Sequence, residues 1–175
     1  MRELVFAGFG GQGVLTAGLI VSQIALFKGV NATWMPAYGA AQRGGTANCT
    51  VKYGEEKIYN PGQQRPDLVL AMNTPSFDKY EMSTEPGGYT FVDSTLVDRK
   101  AVRDDVTTVY VPATGVASEN GIHSLANMVM VGKILKETGI FSYELMEKVM
   151  PKLVSAKRPQ MVETNLKAIR LGMEL

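Results

Sequence analysis

Apolar residues in this chain occur in short unbroken runs that alternate with longer segments in which they recur every three or four positions. The short runs predict buried strands and the longer segments predict helices. Strands are predicted at residues 3–7, 32–35, 67–72, 89–93 and 107–111. The first helix is predicted at residues 12–28, with Leu15, Leu19, Ser22 and Leu26 on one face. A second helix is predicted to begin at Pro75, with Thr74 as its N-cap. Three more are predicted near the C-terminus: from the cap Ser124 to Gly139, at 143–150 after the cap Ser142, and from Pro159 to Gly172. This alternation predicts a Rossmann-like, doubly wound α/β fold with a mostly parallel sheet and C-terminal helices.

One segment departs from the parallel pattern. Residues 46–53 alternate between polar and apolar side chains, as in a half-buried strand, and Gly54-Glu55-Glu56 predicts a turn into a second strand at 57–59. The sheet is therefore expected to include an antiparallel hairpin excursion. With 175 residues, of which 45% are hydrophobic, the whole chain from 1 to 175 is expected to form a single domain.

The junction between the first strand and the first helix carries the clearest chemical signal. Residues 8–13 read Gly-Phe-Gly-Gly-Gln-Gly, a glycine-rich turn that opens a helix directly after a strand. Glycines allow close backbone approach, and a helix N-terminus offers free N–H groups and a positive dipole end to an anion. A phosphate-type ligand is predicted at Gly8, Gly10, Gly11, Gln12 and Gly13; the alternative is that these glycines only allow tight strand-to-helix packing.

A second loop supplies a candidate cation for the same site. Residues 36–45 are rich in Gly and Ala and contain Arg43 followed by Gly44. A guanidinium on such a loop suits forked hydrogen bonds to a phosphate or to the carboxylate of a partner. Arg43 and Gly44 are therefore assigned to the site, with an exposed arginine in a turn as the alternative.

The pattern lacks the groups that an independent enzyme of this fold would need. An NAD-dependent dehydrogenase carries Asp or Glu roughly 20 residues after the glycines, whereas residues 32–37 contain no carboxylate. His123 has no sequence partner for a catalytic triad, and Cys49 and Asn127 are interpreted as core residues. No catalytic or metal-binding residue is assigned.

Charge and composition narrow the class of partner. Eighteen basic and 17 acidic residues give a formal net charge of +1, so neither nucleic acid nor a membrane surface is expected as a partner. The single cysteine fits a reducing compartment, the first residues lack the apolar core of a signal peptide, and no apolar run is long enough for a bilayer. A cytoplasmic location is expected.

Several motifs in order resemble the gamma subunit of 2-oxoacid:ferredoxin oxidoreductases, and together they extend over nearly the whole chain. They are the turn at 8–14, Ala17-Gly18, Tyr38-Gly39 with Arg43-Gly44-Gly45, the strand at 66–72, Gly121, Asn127-Met128, residues 165–168 and Gly172. The resemblance implies a subunit, inactive alone, of an enzyme that oxidatively decarboxylates a 2-oxoacid and transfers the acyl group to coenzyme A.

The resemblance also implies where the chemistry lies. In that family thiamine diphosphate is held by the alpha and beta subunits, iron–sulfur clusters lie in a ferredoxin-like subunit, and ferredoxin accepts the electrons. Coenzyme A is the ligand that the resemblance suggests for the glycine turn with Arg43. The short separate chain resembles the 2-oxoglutarate and branched-chain forms more than the pyruvate form, and of these 2-oxoglutarate is taken as the expected substrate. The alternatives are an indolepyruvate oxidoreductase subunit, a stand-alone nucleotide- or phosphate-binding module, and a small flavin- or NAD-dependent reductase.

Overall fold

A six-stranded mixed sheet forms the centre of the computed structural model, which describes residues 1–39 and 45–175. The spatial order of the strands is β2-β3-β1-β4-β5-β6. Strands β1, β4, β5 and β6 run parallel, whereas β3 is antiparallel to both of its neighbours. The strands are β1 (Arg2–Phe9), β2 (Asn31–Tyr38), β3 (Thr46–Gly54), β4 (Leu68–Ala71), β5 (Tyr89–Asp93) and β6 (Thr107–Val111).

Within the described residues, six α-helices cover the sheet unequally. They are α1 (Val14–Phe27), α2 (Thr74–Tyr80), α3 (Ala113–Glu119), α4 (Ala126–Thr138), α5 (Tyr143–Leu153) and α6 (Gln160–Glu174). The main core lies on one face, where Leu4 and Phe6 of β1 join buried residues of α1, α4, α5 and α6. On the opposite face Val5 and Ala7 form a small cluster with Val69 and with Tyr80 of α2. The predicted α/β class with C-terminal helices is confirmed.

The antiparallel hairpin differs from the predicted one. Its strands are β2 and β3, paired from Asn31 opposite Gly54 to Tyr38 opposite Ala47, and residues 57–59 form no strand. Strand β2 continues through Pro36 because it is an edge strand, where a residue without an N–H group is tolerated. Strand β3 lies between β1 and β2, so the two parallel strands of the first β–α–β segment are not neighbours.

Two helix starts also differ from the prediction. The carboxamide of Asn73, rather than Thr74, caps α2 and accepts a hydrogen bond from the Ser76 N–H at 2.9 Å. Ser124 lies in a short 3-10 turn, so α4 begins two residues later. The cap at Ser142 and the left-handed Gly139 after α4 are confirmed. The short helix α3 was not predicted, because its seven residues are too few for a clear period.

The buried face of α1 is not the predicted one. Ser22 is buried as expected, but Leu19 and Leu26 are exposed and Leu15 is only partly buried. The helix instead packs through Val14, Ala17, Val21, Ile24 and Ala25 against the sheet and neighbouring helices. Apolar residues lie on both the inner and the outer side of α1, so the spacing of its leucines does not identify the inner face.

Helices α4 and α6 pack so closely that glycine is required on both. A Cβ atom at Gly132 would overlap the carbonyl oxygen of Ile169, and one at Gly172 would overlap that of Val129. Both obstacles are backbone atoms, which cannot turn aside as a side chain can. Gly172 therefore lies within α6 rather than at its end, where the sequence predicted it.

We expect Gly132→Ala and Gly172→Ala each to lower the free energy of unfolding by about 3 kcal/mol, because overpacking forces the helices apart. Alanine would otherwise favour a helix by about 1 kcal/mol. Urea denaturation followed by circular dichroism provides the measurement. Gly115→Ala in α3 is the control, since its new Cβ would meet only the Thr95 side chain, at 3.3 Å. A loss no larger than that of the control would contradict the proposed close contact.

Candidate functional site

The glycine turn joins the carboxyl end of β1 to the first turn of α1. The Gln12 N–H donates to the Phe9 carbonyl at 3.1 Å, and the Gly10 N–H donates to the Gly45 carbonyl at 2.8 Å. Gly11 and Gly13 adopt φ values of +102° and +73°, which L side chains rarely adopt. The chain can therefore turn sharply from strand to helix without a side chain at either position.

A cavity of about 430 Å³ opens beside this turn. Its walls combine backbone from the turn and helix start with apolar side chains from β1, α1 and β2. The lining residues are Phe9, Gly10, Gly11, Gly13, Val14, Leu15, Thr16, Tyr38 and Ala47. The cavity thus offers polar backbone at one side and an aromatic and aliphatic surface at the other.

The helix start that faces this cavity is uncapped by any side chain in the described part of the chain. Gly13 occupies the N-cap position and the first turn contains no acidic residue. The N–H groups of Val14, Leu15 and Thr16 have no partner within a helix, since the first intrahelical bond is from Ala17 to Gly13. These amides and the dipole of a 14-residue helix create positive potential at the cavity wall.

The position of the turn within the sheet agrees with the general rule for ligand sites in open α/β folds. From β1 the chain passes through α1 to β2 on one side, whereas β4 pairs with β1 on the other side. Ligands of such folds bind at the carboxyl ends of the strands where the connections diverge. The glycine turn lies at this point, and the cavity opens from it toward β2 and β3.

Two predicted site residues have structural roles. A Cβ atom at Gly8 would lie 2.7 Å from Gln12 Oε1, so this glycine makes room for the Gln12 side chain. Gln12 Oε1 accepts from the Phe9 N–H at 2.6 Å and from Asn73 Nδ2 at 3.1 Å, and Gln12 Nε2 donates to the Met72 carbonyl at 2.9 Å. Neither residue lines the cavity; they fix the turn against the end of β4.

The other predicted residues divide into two groups. Gly10, Gly11 and Gly13 line the cavity, and nothing lies within 4 Å of a Cβ position at Gly11, so that residue leaves the cavity open. Arg43 and Gly44 lie outside the described residues, and their assignment to the site stays a prediction. Thr16 and Tyr38 line the cavity but were not predicted as site residues; only their positions beside the glycine turn and the Arg43 loop could have indicated them.

Comparison with known proteins identifies the family to which the chain belongs. The sequence profile of the pyruvate ferredoxin/flavodoxin oxidoreductase family matches residues 3–175. The chain belongs to this family. It also resembles the crystal structure of a keto/oxoacid ferredoxin oxidoreductase gamma subunit from Geobacter sulfurreducens, with 30% identity, a TM-score of 0.81 and coverage of 99% and 97% of the two chains.

Relatives of this family member differ in length. It is 34% identical to the 2-oxoglutarate synthase subunit KorC of Methanothermobacter marburgensis, covering 99% of this chain and 96% of that one. It is 36% identical to the ketoisovalerate oxidoreductase subunit VorA of Methanothermobacter thermautotrophicus over 96% of this chain, but it spans only 35% of VorA. A 2-oxoglutarate:ferredoxin oxidoreductase from Magnetococcus marinus, solved with 2-oxoglutarate, coenzyme A and succinyl-CoA, shares the fold at 21% identity, with a TM-score of 0.82 over 99% of this chain and 30% of that chain.

In this family member, Asn127 of α4 contacts the N-cap residue of α1. Asn127 is buried and its Nδ2 donates to the Gly13 carbonyl at 2.9 Å, as expected for a core amide. A Cβ atom at Gly13 would lie 2.5 Å from the same nitrogen. Asn127 Oδ1 has no partner among the described residues. The contact fixes the direction in which the first-turn amides point.

The chain's histidine and cysteine lie outside the cavity. His123 lines a smaller space on the other side of Gly11, together with Met72 and Thr114. Cys49 is fully buried on β3, where its thiol donates to the Val14 carbonyl at 3.6 Å. Within the described ranges, no three His, Cys, Asp or Glu residues cluster as a metal site would require. None of the helices described there has the length and hydropathy of a membrane span.

Burial raises the pKa of the Cys49 thiol from 9.0 to about 12. Because the folded-state value is above the unfolded value, folding favours the protonated thiol, and that contribution is complete below pH 9 and is lost between pH 9 and 12. We expect stability to fall with pH there, with a slope of up to about 1.4 kcal/mol per unit from this group. Urea denaturation of the native chain and of Cys49→Ala at pH 8 and pH 10 measures it. Equal losses in the two proteins would contradict the buried thiol, as would rapid alkylation of native Cys49 at pH 8.

Proposed function

We propose that this chain is the gamma subunit of a thiamine-diphosphate-dependent 2-oxoacid:ferredoxin oxidoreductase that converts 2-oxoglutarate to its acyl-CoA and reduces ferredoxin. The chain contributes to coenzyme A handling and to assembly, and is inactive alone. Its partners are alpha and beta subunits that hold thiamine diphosphate and a ferredoxin-like subunit that holds iron–sulfur clusters. The single cysteine of the chain, buried in the core, does not fit a cluster.

The observation that carries the proposal is the uncapped start of α1 at the cavity wall. Coenzyme A has a pyrophosphate and a 3′-phosphate, and phosphate oxygens accept hydrogen bonds from free N–H groups of a helix's first turn. Phe9, Leu15 and Tyr38 give the same cavity an apolar surface, which suits the non-phosphate parts of such a ligand. Arg43 would add a bidentate cation to this cradle.

The choice of 2-oxoglutarate is supported by the form of the relatives. Identities of 34% and 36% to the 2-oxoglutarate and ketoisovalerate subunits do not separate the two substrates. The coverage of 96% of KorC against 35% of VorA is the observation that favours 2-oxoglutarate here. The pyruvate synthase subunit PorC of Thermotoga maritima matches at 27% identity, over 98% of this chain and 93% of that one.

We expect Gly11→Asp to weaken coenzyme A binding about tenfold relative to Gly11→Asn, because the added carboxylate competes with phosphate for the first-turn amides. Asp and Asn have nearly the same shape and both tolerate positive φ better than other side chains. Isothermal titration of coenzyme A into the assembled complex is the measurement. Comparison of the two variants therefore separates the effect of the added charge from the effect of backbone strain.

Gly29→Asp is the positional control for that experiment. Gly29 also has a positive φ, +92°, and open space around its Cβ position, but it follows the far end of α1. Its affinity for coenzyme A should equal that of the unaltered complex. Equal affinities for Gly11→Asp and Gly11→Asn would remove coenzyme A from the turn.

We expect the assembly purified through this chain to reduce ferredoxin with 2-oxoglutarate, with kcat/KM about tenfold or more above that for 2-oxoisovalerate or pyruvate. Steady-state assays with the three 2-oxoacids and saturating coenzyme A measure this ratio. A higher value for either competitor would reassign the substrate. Elution of the chain alone from its native host would instead favour the stand-alone phosphate-binding module.

A further inference from the structure

The outer side of α1 is unlike that of any other long helix in the described chain. None of the 14 residues of α1 is charged. Its exposed residues are Thr16, Leu19, Leu26 and Phe27. On α4, by contrast, every exposed residue is charged, α5 exposes only charged residues and one proline, and α6 exposes only charged residues and the glutamine at its start. Surface helices of soluble proteins normally place charged or polar side chains on the side facing water.

Three of the apolar residues lie on one side of the helix, with the buried Ser22 between the second and the third. Leu15, Leu19 and Leu26 are separated by four and seven residues, which places them on one side of a helix. Leu19 and Leu26 are 39% and 47% exposed. Leu15 also lines the glycine-turn cavity with Tyr38 of β2. We call Leu15, Leu19 and Leu26 the outer stripe of α1.

The chemistry of the stripe restricts what can cover it. Without charge it offers nothing to nucleic acid, and burial of a leucine side chain is worth about 1.5–3 kcal/mol. The favourable occupant is therefore a neutral apolar protein surface. Other exposed apolar residues, such as Val102 and Met82, lie among charged neighbours such as Arg103, as isolated surface residues commonly do.

The lengths of the relatives indicate which protein supplies that surface. The same domain matches 35% of VorA, and its fold covers 30% of the Magnetococcus marinus chain, but it covers 96% of KorC. The domain therefore occurs both within a longer chain and as a separate chain. Where it is separate, the contact with the rest of the enzyme must be made without a covalent link. We call the subunit related to the unmatched part of VorA the companion subunit.

We propose that the outer stripe of α1 is the surface through which this chain docks on the companion subunit. The proposal rests on the proposed function, since it requires that this chain works within a multi-subunit oxidoreductase. It assigns α1 two roles: its first-turn amides face the cavity, and its outer side faces the neighbouring subunit. A second copy of this chain is the competing occupant, which the experiments below distinguish.

The first test uses a single cysteine as a probe. Native Cys49 is fully buried, so Leu26→Cys introduces the one accessible thiol. The rate of maleimide labelling is measured for the isolated chain and for the assembly in which mass spectrometry identifies the companion subunit. We expect labelling to be about tenfold slower in the assembly. Val102→Cys, 78% exposed and distant in sequence, is the matched control and should be labelled at the same rate in both.

The second test introduces charge. Leu19→Lys and Leu26→Lys should each weaken association with the companion subunit about tenfold, because a lysine would be buried without a partner. Val102→Lys should leave association unchanged. Circular dichroism and the thermal midpoint of each isolated variant establish that it folds. The affinity of the intact assembly for coenzyme A is measured separately. The docking proposal can therefore be judged even if coenzyme A does not bind at the glycine turn.

Three results would overturn the docking proposal. The first is equal labelling of Leu26→Cys in the isolated chain and in the assembly. The second is normal association of both folded lysine variants. The third is a dimer of the isolated chain, seen by analytical ultracentrifugation at micromolar concentration and abolished by Leu26→Lys, which would assign the stripe to self-association. Elution of the chain without a companion subunit would also reject it.

Discussion

The site depends on the close approach of backbone and side chain at the start of α1. Asn127 of α4 occupies the space where Gly13 would carry a Cβ and hydrogen-bonds the Gly13 carbonyl. Gln12 occupies the corresponding space at Gly8 and bonds to the ends of β1 and β4. Two amide side chains therefore hold the turn through separate hydrogen bonds. The first-turn N–H groups can point into a cavity because the groups that fix them lie elsewhere.

Within this short motif, some residues fix the conformation of the turn and others leave space for a ligand. In a glycine-rich turn, each glycine can serve ligand access, chain reversal or packing, and spacing alone does not distinguish these uses. Here Gly8 serves packing, Gly13 serves both packing and a left-handed conformation, and Gly11 leaves open space. The alternative considered from the sequence, glycines for tight packing, thus holds for part of the motif, while the cavity beside Gly11 remains available to a ligand.

The sequence predicted the positions of helices and strands better than it predicted which of them pack against one another. Strands β5 and β6 have the predicted bounds, because glycine and proline mark their ends. The hairpin partner of β3 was wrong, since alternation identifies a strand but not the strand with which it pairs. The inner face of α1 was wrong for a related reason: its leucines follow a helical period but face away from the core. In a helix with apolar residues on both sides, the spacing of those residues does not distinguish the buried side from the exposed one.

The insertion of β3 between β1 and β2 has a consequence for how the chain acquires its shape. The first helix packs not only on the two strands that flank it in sequence but also on β3, through Cys49 and Val51. These two residues follow the end of the helix by more than twenty positions. Closing that long segment has an entropic cost, which is offset only when all three strands associate. An isolated N-terminal fragment that stops before residue 46 should consequently remain without ordered tertiary structure.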